Sequence, residues 1–165
     1  MNEQQVASLL AKHVPEQAVD YCLLLWKEKP FRLHTTKSRQ TKIGDFTCKR
    51  GEPARITVNE DLNPYLFLVT YIHEVAHHYV FEQVGSRVEP HGTYWQQTFA
   101  RLLHPVLTPE IFPEEIFHLL SKHMRQPMAS TFADVELTKA FRAFDYDVHT
   151  HTLYFHRLQK EVSFN

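Results

Sequence analysis

At 165 residues, with 43% apolar and 13% aromatic side chains, the chain has enough apolar surface for one domain-sized core, and this composition excludes a disordered or fibrous protein. Eighteen basic against 19 acidic side chains leave a formal charge of -1, which excludes the electropositive field of a dedicated nucleic-acid binder and confines any such binding to a local patch. The only cysteines, Cys22 and Cys48, cannot build a disulfide scaffold or a four-cysteine zinc knuckle; the apolar runs are too short for a bilayer crossing and residues 1–6 are polar, so no membrane partner and a cytoplasmic location are expected.

In chain order, apolar residues recur at helical spacing over residues 4–13 (Val6, Leu9, Leu10) and 16–27 (Val19, Leu23, Trp26), which predicts two short helices divided by Pro15 and closed by Pro30. Between Phe31 and Asn59 the pattern turns to short segments punctuated by Gly44 and Gly51, with strand-like alternation over Arg55–Asn59; two or three antiparallel strands are expected. Asn63 and Pro64 open the longest helical pattern, from Tyr65 to about Val84, with Pro64 suited to the first turn and Gly85 to the carboxyl cap. A loop over residues 86–91 leads to a helix over 92–103 with Trp95, Phe99 and Leu102 on one face, stopped by Pro105. Helical pieces follow around 114–123 and 134–144, and residues 151–155 read as extended. With no repeat, low-complexity segment or linker, residues 1–165 are expected to form a single α+β domain with amino-terminal helices, a small antiparallel or mixed sheet and one long helix.

The long helix carries His73, Glu74, Val75, Ala76 and His77. Helical positions four apart are offset by only about 40°, so both imidazoles leave one face a turn apart and can share a metal ion. Glu74 is rotated too far to be a comfortable ligand and is placed to reach a water on that metal, the role of a general base. Zinc suits the pattern because it accepts imidazole nitrogen and keeps an open position for water. Leu66, Val69, Ile72, Ala76 and Val80 form an apolar stripe beside the two histidines, where unpaired imidazoles would be costly.

A catalytic zinc needs a third protein ligand. A metzincin would have Gly at position 80 and His at 83, where this chain has Val80 and Gln83; a gluzincin would use a Glu on the following helix, where it has Gln96 and Gln97. His91 is the better candidate, 14 residues beyond His77 and just before the next helix, after a loop containing Gly85 and Pro90.

With His91, Gly92 and Trp95 following after a short loop, the motif resembles the SprT-like family of zincin metallopeptidases, which includes enzymes that cleave proteins crosslinked to DNA. Upstream, residues 56–59 with Leu62 are similar to the family's strand leading into the active helix, so the resemblance spans roughly residues 31–103. It implies a zincin-like fold, Zn2+ held by His73, His77 and His91, Glu74 as the catalytic glutamate, and Trp95 packing the ligand helix. Many members carry a carboxyl-terminal four-cysteine zinc ribbon, whereas no cysteine follows Cys48; a ribbonless branch or a chain cut short at its carboxyl end would account for this.

The expected function is therefore zinc-dependent endopeptidase activity on a protein or peptide substrate through a metal-activated water, with the strand at Arg55–Asn59 holding the peptide extended. The alternative is a non-catalytic zinc-containing binding or scaffold protein, contacting nucleic acid through the segment from Lys29 to Arg55, which holds eight of the 18 basic residues. Within it Lys37, Arg39 and Lys42 are the candidate nucleic-acid contacts, and weak, salt-sensitive binding is expected; solvated strand faces are the simpler account of the same charges. His149 and His151 alternate as on one strand face, a minor candidate for a second metal; His78 is expected to be packed or at the surface. Tyr71, Tyr79, Tyr94 and His104 are candidate oxyanion stabilisers.

Overall fold

Residues 1–125 and 134–145 are described by the computed structural model. Helix α1 (Glu3–His13) starts at a capping box: Asn2 Oδ1 accepts from the Gln5 backbone and Gln5 Oε1 accepts from the Asn2 backbone, both at 2.9 Å. It buries Val6 and Leu10. Pro15 then sets a short 3-10 turn (Glu16–Ala18), so the helix expected from residue 16 begins properly only at Val19, as α2 (Val19–Glu28). The two helices pack on each other.

Three strands follow, β1 (Arg32–Thr36), β2 (Gly44–Thr47) and β3 (Arg55–Asn59), in the spatial order β1-β3-β2. β2 and β3 are antiparallel, with Asp45 opposite Thr57, as a hairpin turning at Gly51 (φ 80°) requires. β1 pairs with β3 in parallel, Leu33 opposite Ile56, so the sheet is mixed and the antiparallel expectation is corrected for this pair. The cause lies in residues 37–43, which carry the chain across the end of β3 before β2 begins. Buried Asn59, the last residue of β3, holds that crossing down: its Nδ2 donates to the carbonyls of Arg39 (3.3 Å) and Lys42 (3.1 Å), and its backbone N–H donates to Ile43 (2.8 Å).

α3 (Pro64–Val84) is capped by Asn63, whose Oδ1 accepts from the Leu66 backbone at 3.0 Å, and it ends at Gly85, where φ of 69° favours a residue without Cβ. Its 21 residues span about 31 Å. Every residue from Leu66 to Ala76 is buried, so over these roughly three turns the expected stripe is only part of a helix enclosed by α1, α4, β2 and β3, while Glu82 and Gln83 in its last turn are exposed. Its two buried tyrosine hydroxyls are satisfied by α2: Tyr71 donates to the Cys22 carbonyl (2.9 Å) and Tyr79 to that of Leu25 (3.0 Å). His78 is packed inside, with Nε2 3.0 Å from the Lys29 carbonyl.

A 3-10 turn (Gly85–Arg87) and a short loop lead to α4 (Thr93–Leu103), which lies against α3. α5 (Glu114–Arg125) and α6 (Val135–Arg142) pack as a pair, and Asn63 Nδ2 donates to the Phe141 carbonyl (2.9 Å), tying the end of α6 to the start of α3. No helix among the described residues is long and apolar enough to cross a membrane. His149, His151, the extended segment expected at 151–155 and the chain end lie outside the described residues.

Candidate metal centre

His73 and His77 stand one turn apart on α3, and His91 comes to them from the loop before α4. The path of that loop depends on His91 itself, which has a left-handed backbone (φ 61°) and no glycine to ease it. A non-glycine residue in this region costs on the order of 1 kcal/mol, although His accepts it better than most, and such strain concentrates at functional sites. The bend is braced by Gln96, whose Nε2 donates to the His91 carbonyl at 2.9 Å, and by Gly92 N–H, which donates to Glu89 O at 3.1 Å.

The three Nε2 atoms converge. Those of His73 and His77 lie 3.1 and 3.0 Å from that of His91. Imidazole nitrogens arranged tetrahedrally about one zinc would be separated by about 3.3 Å, so the cluster has the dimensions of a three-histidine metal site. Among the described residues this triad is the one group of at least three potential ligands close enough to hold a metal ion. Burial, followed by His77 and His91, pushes the His73 imidazole down to about 3, and burial with His91 pushes His77 down to about 4. Burial also lowers His91. All three are thereby held neutral, the form that ligates metal.

Trp95 fixes the rings from behind. It stacks on His77 (centroids 5.2 Å apart, planes 25° apart), lies 4.6 Å from the His73 ring and 4.8 Å from that of His91, and is itself stacked on Phe99 at 5.0 Å. His73 Nδ1 is buried with no hydrogen-bond partner, so aromatic packing rather than an outer acceptor sets that ring's orientation.

Glu74 is buried beside the triad, its Oε1 4.0 Å from His73 Nε2 and turned toward β2 rather than into the cluster. Burial, with the Asp45 carboxylate adding, pushes its carboxyl up to about 8; Arg39 and Lys42 pull the other way. The triad and Glu74 line a cavity of about 600 Å³ together with residues 41–46, the start of β2 and the loop before it. A second cavity of about 490 Å³ adjoins it across Thr41, Lys42 and Ile43.

The sheet order moves one expected feature. β3 is central and cannot receive a further strand; β2 is the outer strand beside the cleft. The bond from Asn59 N–H to Ile43 O makes that pair a bonded one, so antiparallel alternation leaves the N–H and C=O groups of Gly44 and Phe46 facing the open edge.

The three candidate nucleic-acid contacts differ in their surroundings. Arg39 Nη1 is paired with Asp45 Oδ1 and its Nε donates to Asn59 Oδ1 at 2.8 Å, so its guanidinium braces the crossing loop. Lys42 Nζ lies 3.6 Å from Asp45 with half its side chain exposed, and Lys37 is exposed. Arg39→Ala is accordingly expected to cost about 1 to 2 kcal/mol of stability, the scale of half-buried charged hydrogen bonds, whereas Lys37→Ala should stay within about 0.5 kcal/mol. Denaturant unfolding of the two variants checks this.

None of the four oxyanion candidates lines the cleft. Tyr71 and Tyr79 are bonded into α2, Tyr94 donates to Gln83 Oε1 (2.8 Å), and His104 is exposed in the turn after α4. Three cleft residues carried no chemical signal in the sequence: Gly44, which reads there as a turn, and Thr70 and Asp45. Comparison with protein-family models, with curated proteins and with solved structures finds no match for this chain. What stands is a mixed α+β fold with three converging histidines able to hold a metal ion and a buried carboxylate at their side.

Proposed function

We propose that the protein is a zinc-dependent endopeptidase of zincin-like fold acting on protein or peptide substrates. The observation that carries this reading is the convergence of His73, His77 and His91 in a cleft that also holds an unligating buried carboxylate, Glu74, and is bordered by an open strand edge. Three imidazoles suit zinc, and a site built only for structure has no use for a carboxylate beside it. The likeness of residues 31–103 to SprT-like proteins agrees with it.

When bound, the metal supplies an acidified water and polarises the peptide carbonyl. His73, His77 and His91 would hold it, fixed by Trp95. Beside a bound cation the Glu74 carboxyl would be drawn back toward its charged form, since opposite charge at close range favours ionisation. Glu74 then takes the water's proton on a carboxylate oxygen and returns it to the leaving amine. Gly44 and Phe46, with main-chain groups toward the edge, pair with the substrate backbone, which gives weak side-chain selectivity.

The test is hydrolysis of an unfolded protein by zinc-loaded enzyme, with metal counted by elemental analysis. One zinc per chain and turnover abolished by a chelator and restored by zinc are expected. Zinc without turnover would leave the scaffold reading in its place. Nucleic-acid contact, reduced to exposed Lys37 and Lys42, is expected to be weak and to vanish as salt rises.

A further inference from the structure

We propose that Gly44 is a positioning residue of the hydrolytic centre: its missing side chain lets the outer strand lie directly on α3 at Thr70 and thereby holds the Glu74 carboxylate against the strand, facing the cleft. The inference rests on the peptidase reading above. A Cβ built on Gly44 would stand 2.6 Å from Thr70 Cγ2, 3.2 Å from Glu74 Oε1 and 3.3 Å from Glu74 Cγ. The backbone here is ordinary strand, so what demands glycine is space alone.

Neither neighbour of that space yields easily. Thr70 is 2% exposed and packed in the interior of α3, so its methyl has little room to turn away. β2 is tied to β3 by its ladder, by the Ile43–Asn59 bond (2.8 Å) and by the Asp45–Arg39 pair. The Glu74 side chain, with more rotatable bonds, is the part that gives way. The three atoms nearest the built Cβ belong to Thr70 and Glu74, and none to an imidazole.

The experiment compares Gly44→Ala, Thr70→Ser and the double variant, each with bound zinc measured. Gly44→Ala is expected to keep one zinc, to lower kcat by about a hundredfold with KM changed less than about threefold, and to melt several degrees below wild type. Thr70→Ser removes the methyl at 2.6 Å but leaves the Glu74 contact. The double variant should therefore recover most of the melting temperature yet stay about tenfold down in kcat, a split that a purely structural role would not produce. Should Gly44→Ala fail to fold, the double variant alone carries the test.

Unchanged kcat in zinc-loaded Gly44→Ala, or kcat returning to the wild-type value in the double variant, would overturn the proposal. Wild-type protein that binds zinc and hydrolyses nothing would instead overturn the peptidase reading. The melting temperatures then decide the contact by themselves: strictly additive shifts in the two single variants would show that position 44 and Thr70 do not touch.

Discussion

Replacing Glu74 by Gln is expected to leave metal content and fold intact while lowering kcat by about 10² to 10⁴-fold, the usual contribution of a general base. The amide has the shape of the carboxylate but cannot accept the water's proton. Metal content should not change, because Glu74 stands outside the cluster, 4.0 Å from His73 Nε2. Stability of the chelator-treated protein should move in the opposite direction to activity. Burial raises the folded-state carboxyl to about 8, above its ordinary value of 4.5, so between these limits the folded state retains a proton that the unfolded state has lost. Stability contributed by this group therefore falls as pH rises from 4.5 toward 8. Gln carries no such proton, and the metal-free variant should gain on metal-free wild type across that range. Thermal melts at matched pH read the difference, and undiminished turnover in Glu74→Gln would place the base elsewhere.

His91→Ala is expected to abolish tight zinc binding, since it leaves two imidazoles where three converge. Zinc at a thousand times its dissociation constant stabilises a folded protein by about 4 kcal/mol, so wild type should show a large zinc-dependent rise in Tm that this variant lacks. A second substitution separates the ligand from the backbone that carries it. At φ 61° Ala is strained and Gly is not, so metal-free His91→Gly should be more stable than metal-free His91→Ala by about 1 kcal/mol, although neither holds the metal. Zinc retained by both variants would remove His91 from the site.

The long helix is legible because its ends are written locally: Asn63 and Pro64 start it and Gly85 stops it, whereas the Asn2 cap of α1 emerges only in the structure. His73 and His77 were legible from spacing alone, and His91 from its place between a turn and a helix. Its left-handed backbone was not, because that follows from how α4 docks on α3. Strand direction was hidden for a similar reason. Nothing between Arg32 and Asn59 says locally that β1 will run parallel to β3; that outcome rests on Asn59, a single buried polar residue that gathers the crossing loop. The same residue turns Arg39 inward, and in sequence its charge looks like that of its exposed neighbour Lys37. Gly44 looked like a turn because only the folded protein brings Thr70 and Glu74 against it.

The enclosure of α3 has a kinetic meaning. A helix in contact with α1, α4, β2 and β3 is the element on which the others condense, and transition states for folding often consist of such a helix with the strands it supports. Truncations in it, such as Ile72→Val or Val75→Ala, should then slow refolding, whereas Ile116→Val in α5 should chiefly hasten unfolding. Stopped-flow measurements on the three variants would order these events. On this sequence of assembly His73 and His77 are already one turn apart when the barrier is crossed, and His91 joins them only as α4 settles, so zinc present during refolding should act on the late phase and leave the nucleus untouched.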